Sequence, residues 1–123
     1  MLDTPQANLP IGSATARWPA RHLLDVDQLD RDAISRCLDL AVEMRSLRER
    51  GERLDELAGH TIGLAFAEPS TRTRVSFEMA AAELGAQVLA LPMEASSTTK
   101  GESLVDTLLT LERTGIDTIV LRH

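Results

Sequence analysis

Between residues 61 and 121, three short apolar runs alternate with two segments whose apolar residues recur at helical spacing, and that order leaves few folds open. Residues 61–67 form an apolar run bounded by polar residues, as in a strand covered on both faces. Pro69 ends it, and Ser70 is placed to cap a helix running to Leu84, with Gly85 as its stop. Residues 87–91 read as a second strand, ended by Pro92. A polar loop over 94–100 leads to a helix from Glu102 to about Arg113, with Leu104, Leu108 and Leu111 on one face and Gly115 as its stop. Residues 117–121 read as a third strand. Strand, helix, strand, helix, strand is the order of an α/β protein with a doubly wound parallel sheet in three layers. A central parallel strand normally feeds a further covering helix, so a domain ending on its third strand is expected to be incomplete at its C-terminal side.

Upstream, Asp30 is a good N-cap for a helix over 31 to about 50, in which Ile34, Cys37, Leu38, Ala41 and Met44 share one face and Gly51 provides the stop. Residues 1–20 hold Pro5, Asn8, Pro10, Gly12, Ser13 and Pro19 and show no periodicity. They are expected to form a mobile tail ahead of a domain over 21–123.

A chain of 123 residues, 43% hydrophobic and 26% charged, suits one modest globular domain whose core needs no metal or disulfide. The net charge of -6 removes any general attraction to nucleic acid or to an anionic membrane, so a phosphate site must be local. An aromatic content of 2%, with no Tyr, argues against single-strand nucleic-acid binding, which relies on stacking platforms. The single Cys37 has no internal disulfide partner; it fits a reducing cytosol and is expected to pack as a small core residue. No apolar run approaches the roughly 18 residues of a membrane span, and residues 1–20 lack the pattern of a signal peptide. A cytoplasmic location is expected.

In open parallel sheets, ligands bind beyond the carboxyl ends of the strands. Three polar clusters fall there: Ser70-Thr71-Arg72-Thr73-Arg74, Ser96-Ser97-Thr98-Thr99-Lys100-Gly101, and Arg122-His123. The first opens a helix, where free N–H groups and the positive end of the dipole favour an anion. Hydroxyls add donors, and Arg72 supplies a fork that fits phosphate. The plain alternative is a capped helix with a charged first turn. Basic residues there oppose the dipole, at up to about 1 kcal/mol each when exposed, so two arginines favour an anion partner. Taken singly, the second cluster reads as a solvated loop and Arg122 as a solvated or paired strand end. His123 lacks any group to orient it as a base, and His22 and His60 stand in no ligand cluster, so no metal is expected. There is no GxxxxGK and no GxGxxG.

These segments resemble the aspartate/ornithine carbamoyltransferase family. The residues that carry the likeness are Phe66-Ala67-Glu68-Pro69-Ser70-Thr71-Arg72-Thr73-Arg74-Val75-Ser76-Phe77-Glu78, then Leu84-Gly85-Ala86, Lys100-Gly101-Glu102-Ser103-Leu104, Asp106-Thr107 and Val120-Leu121-Arg122-His123. The match runs in order over roughly 22–123. Glu68-Pro69 before the Ser-Thr-Arg run, and Lys100 before Gly101, look like the aspartate branch. Ala67 stands where the family often has a second Phe, a change in packing and not at a ligand position.

The resemblance implies the fold of the N-terminal half of a two-domain carbamoyltransferase. It implies that Ser70, Thr71, Arg72 and Thr73 bind the phosphate of carbamoyl phosphate, with Thr73 also near its carbonyl oxygen. Arg122 would bind phosphate and carbonyl oxygen, and Arg74 would pair within the protein. Lys100 and Ser97, or in its place Ser96, would reach into a neighbouring subunit's site, which implies a homotrimer. Arg72, Thr73, Lys100 and Arg122 would carry the catalysis. The implied reaction is attack by the amino group of L-aspartate on the carbamoyl carbon, giving carbamoyl aspartate and phosphate for pyrimidine synthesis, with no cofactor. The family's polarising His, nearby Gln and aspartate-binding Arg loops are expected beyond residue 123, so this chain alone is expected to be inactive. Two other readings stay open on the residues: an ornithine-type transferase, and a non-catalytic anion-binding α/β module.

Overall fold

The computed structural model describes residue 18 and residues 20–93 and 103–123. The chain divides into two compact units, Met1–Glu52 and Arg53–His123. The expected tail over 1–20 lies outside the described residues apart from Trp18 and Ala20.

In the first unit, a short 3-10 turn at Val26–Gln28 precedes α1 at Arg31–Glu49. The turn is closed by reciprocal capping. The Asp25 carboxylate accepts from Asp27 N, and Gln28 Oε1 accepts from Asp25 N at 2.9 Å. Asp30 caps α1 as expected, its carboxylate accepting from Ala33 N at 2.7 Å. The apolar stripe of α1 is not a core, however. Ala33 is fully buried, but Leu38 is 63% exposed, Val42 is 70% exposed and Cys37 is exposed. This corrects the expectation that Cys37 packs inside. A stripe at helical spacing fixes which face is apolar, but burial requires a second surface against it. The guanidinium of Arg36 lies 6.0 Å from the centroid of the Trp18 ring, a cation–π distance.

The second unit holds β1 at Thr61–Phe66, α2 at Thr71–Glu83, β2 at Gln87–Pro92, α3 at Leu104–Arg113 and β3 at Thr118–Arg122. All three strands are parallel, in the order β2-β1-β3. β1 is central, and Gly63, Leu64 and Ala65 are buried in succession. Successive side chains on a strand point to opposite faces, so this run means that both faces of β1 are covered. A Cβ at Gly63 would lie 2.8 Å from a Leu91 methyl and 3.3 Å from Ile116, which explains glycine in a strand interior.

Element ends differ from the sequence expectation by a residue or two, within the ordinary fraying of such boundaries. α3 starts at Leu104 because the Ser103 hydroxyl accepts from Asp106 N at 3.1 Å and so takes the capping position; Glu102 lies outside the described residues. β2 runs through Pro92, which a strand at the sheet edge tolerates. Gly85 ends α2 with φ at +85°, and Leu57 N ties the preceding loop to Leu84 O at 2.9 Å. Leu104, Leu108 and Leu111 of α3 are half-buried while Val105 and Leu109 face solvent. No helix among the described residues is long and apolar enough to cross a membrane.

The strand order has a consequence for ligands. The path from β1 through α2 to β2 moves one way along the sheet, and the path through α3 to β3 returns past β1. Right-handed crossovers then assign α2 and α3 to opposite faces. The reversal falls between β1 and β3. The crevice outside their carboxyl ends is the switch point at which such sheets bind ligands.

Candidate anion site at the carboxyl ends of β1 and β3

Backbone register sets the site. Phe66 is the partner of Arg122, and Ala67 N donates to Arg122 O at 2.8 Å. The end of β3 is therefore clamped to the point where the chain leaves β1 for α2. At the opposite end of the same pair, Thr61 N donates to Asp117 Oδ2 at 2.8 Å and Asp117 N to Thr61 O at 3.0 Å. With both ends of the β1–β3 pair fixed, the side chain of Arg122 has little freedom in where it begins.

Its guanidinium closes a triangle with two hydroxyls of the α2 start. Arg122 Nη1 donates to Ser70 Oγ at 2.7 Å and to Thr73 Oγ1 at 3.3 Å, and Ser70 Oγ donates to Thr73 Oγ1 at 3.0 Å. Ser70 occupies the N-cap position of α2, yet its side chain makes no capping bond, contrary to the expectation. The hydroxyl is turned instead toward the guanidinium, whose charge-assisted bond at 2.7 Å outweighs a neutral capping bond. The first-turn N–H groups thus keep their capacity to face an anion. α2 has no acidic residue in that first turn.

Thr71 and Arg72 are exposed on this turn, and among the described residues no acid pairs with the Arg72 guanidinium. Arg74 is different: its Nη1 lies 3.4 Å from Glu78 Oε2, one turn along the helix. Of the expected site residues, Ser70, Thr71, Arg72, Thr73 and Arg122 are gathered at the switch point. Ser96, Ser97 and Lys100 lie outside the described residues. One neighbour escaped the sequence reading as a contact: Glu68 Oε2 lies 3.9 Å from Arg122 Nε, with both side chains about half exposed. No local signal would have found it, because Glu68 and Arg122 meet only through the β1–β3 register. At that distance and exposure the pair is screened and does not hold the arginine in place. Among the described residues no group of three or more His, Cys, Asp or Glu could hold a metal.

Residues 21–123 match the model of the family described as aspartate/ornithine carbamoyltransferase, carbamoyl-P binding domain. The aspartate carbamoyltransferase catalytic subunit of Kineococcus radiotolerans is 51% identical over 104 residues, covering 84% of this chain and 33% of that protein. The subunit of the same name from Dehalococcoides mccartyi is 44% identical over 121 residues, covering 98% of this chain and 37% of its own. The chain thus spans about a third of the length of these relatives. Among solved structures, it is similar to aspartate transcarbamoylase from Trypanosoma cruzi in complex with phosphate, with a TM-score of 0.73 and 39% identity over 79% of this chain and 30% of that one. The same enzyme in complex with carbamoyl phosphate and aspartate gives a TM-score of 0.71.

Proposed function

Because the chain belongs to the aspartate/ornithine carbamoyltransferase family through its carbamoyl-phosphate-binding domain, we propose that residues 21–123 bind carbamoyl phosphate for transfer of its carbamoyl group to L-aspartate. The observation that carries this reading is the meeting of Arg122 from β3 with Ser70 and Thr73 from the start of α2, at the switch point of the sheet. Cationic forks and hydroxyls converge there on an uncapped helix N-terminus, an arrangement suited to a small phosphorylated ligand. The relatives bearing on the choice of acceptor are named for aspartate, and the Trypanosoma cruzi enzyme has been captured with carbamoyl phosphate and aspartate together.

In this reading, Ser70, Thr71, Arg72 and Thr73 cradle the phosphate, while Thr73 and Arg122 face the carbonyl oxygen. The aspartate amino nitrogen attacks the carbamoyl carbon, and negative charge grows on that oxygen. The carbon–oxygen bond to phosphate then breaks, the electron pair leaves with phosphate, and the nitrogen loses a proton. Carbamoyl aspartate and phosphate result, a step of pyrimidine synthesis in the cytoplasm. The protein's part is to orient the reactants and to place positive charge and donors where charge develops, which calls on no cofactor. Lys100 and Ser97 would come from a neighbouring copy in a homotrimer, and aspartate would be held by groups outside residues 21–123.

Titration calorimetry with carbamoyl phosphate tests the site. Arg72→Ala should weaken binding by roughly 1.5–3 kcal/mol, the worth of a charge-assisted bond, while Arg31→Ala on α1 should leave it nearly intact. Equal affinities for the two variants would sink the assignment.

A further inference from the structure

We propose that Asp117 is a positioning residue for Arg122: its carboxylate, at the amino end of β3, locks the strand register that delivers Arg122 to the anion site. The inference rests on the site reading above and deepens it, because it extends the machinery of that site to the opposite end of the sheet.

The case turns on what distinguishes one strand register from another. In a parallel pair the backbone N–H and C=O groups repeat evenly along both strands. Slid by two residues, β3 would offer β1 the same ladder and the same faces, so the backbone does not choose between the two. Such a slide moves every side chain by roughly 6.6 Å, at about 3.3 Å per residue. It would carry the stem of Arg122 away from Ser70 Oγ and Thr73 Oγ1, which its Nη1 now reaches at 2.7 and 3.3 Å. Side chains must therefore hold the register, and two at the amino end of β3 do so. Ile116 is 8% exposed and packs against the bare backbone of Gly63, where a Cβ would stand 3.3 Å from its Cγ2. Asp117 binds Thr61 twice: its Oδ2 accepts from Thr61 N at 2.8 Å, and its own N–H donates to Thr61 O at 3.0 Å. The first of these bonds is directional and charge-assisted, and a slide in either direction breaks it. Ile116 resists the slide by packing, and Asp117 resists it by a bond to one particular N–H. The rung Phe66–Arg122 at the other end of the same pair then falls beside the start of α2.

The test is calorimetry with carbamoyl phosphate in the full chain, beside a thermal melt of each variant. Arg122→Ala should weaken binding on the order of tenfold or more, which establishes that affinity reports the arginine. Asp117→Ala should weaken binding severalfold. Asp117→Asn, whose side-chain oxygen still accepts from Thr61 N, should restore most of the affinity. In the Arg122→Ala background, Asp117→Ala should weaken binding no further, because the residue it positions is gone, while its lowering of the melting temperature should persist. A lower melting temperature with unchanged affinity, or the same loss of affinity in both backgrounds, would mean a merely structural role and would overturn the proposal. Should Asp117→Ala fail to fold, Asp117→Glu, which displaces the carboxylate by one methylene, carries the same comparison in the two backgrounds. An Arg122→Ala variant that binds as tightly as the unaltered protein would overturn the site reading and this inference with it.

Discussion

At the scale of single residues, the proposed site would depend on Arg122 by the shape of its side chain as much as by its charge. One nitrogen, Nη1, reaches two hydroxyls at 2.7 and 3.3 Å, which leaves the other face of a planar fork for a ligand. Lysine would keep the charge as a single point on a flexible stem and lose the fork. Arg122→Lys should therefore lower carbamoyl phosphate affinity by roughly 1.5–3 kcal/mol despite the conserved charge. Calorimetry checks this, and an unchanged affinity would mean that the site needs only positive charge. Arg74, two positions from Arg72, is a contrast of the same kind. Its pairing with Glu78 one turn along α2 marks it as a support of the helix.

At the scale of elements, the two helix starts of the second unit use a serine in opposite ways. Ser103 caps α3 by local chemistry, accepting from Asp106 N at 3.1 Å, and its hydroxyl also donates to Asp106 Oδ2 at 2.7 Å. Ser70 stands at the same position of α2 and caps nothing. A buried or satisfied cap stabilises its helix, whereas an uncapped start keeps donors for a ligand. Ser103→Ala should lower stability by about 1 kcal/mol, read as a fall in the urea midpoint without a change in slope. An unchanged midpoint would show that α3 does not need its cap. The sequence motif at both starts is a serine before a helix, so the two roles look alike until the partners are known.

At the scale of the whole molecule, the proposed sharing of sites between copies is the largest claim and has a direct check. If Lys100 enters the site of a neighbouring copy, Lys100→Ala and Arg72→Ala proteins, each nearly inactive in the assembled enzyme, should regain partial activity when their subunits are exchanged. Mixed assemblies then contain a site with both residues intact. No recovery after verified exchange would count against shared sites. The order of strands and helices, the caps at Asp30 and the stop at Gly85 were legible in the chain itself, because propensity, capping and periodicity act over a few neighbouring residues. The clustering of Ser70, Thr71, Arg72 and Thr73 was legible for the same reason, and the family resemblance placed Arg122 with them. Three things depended on tertiary structure. Cys37 lies exposed on a helix whose pattern suggested burial, because burial is a property of two surfaces. Glu68 stands beside Arg122, and the Ser70 hydroxyl is turned from capping to bridging, because the register of β1 against β3 brings Arg122 to residues more than 50 positions away. Local sequence sets which groups a residue offers, and the pairing of distant strands decides which of them meet.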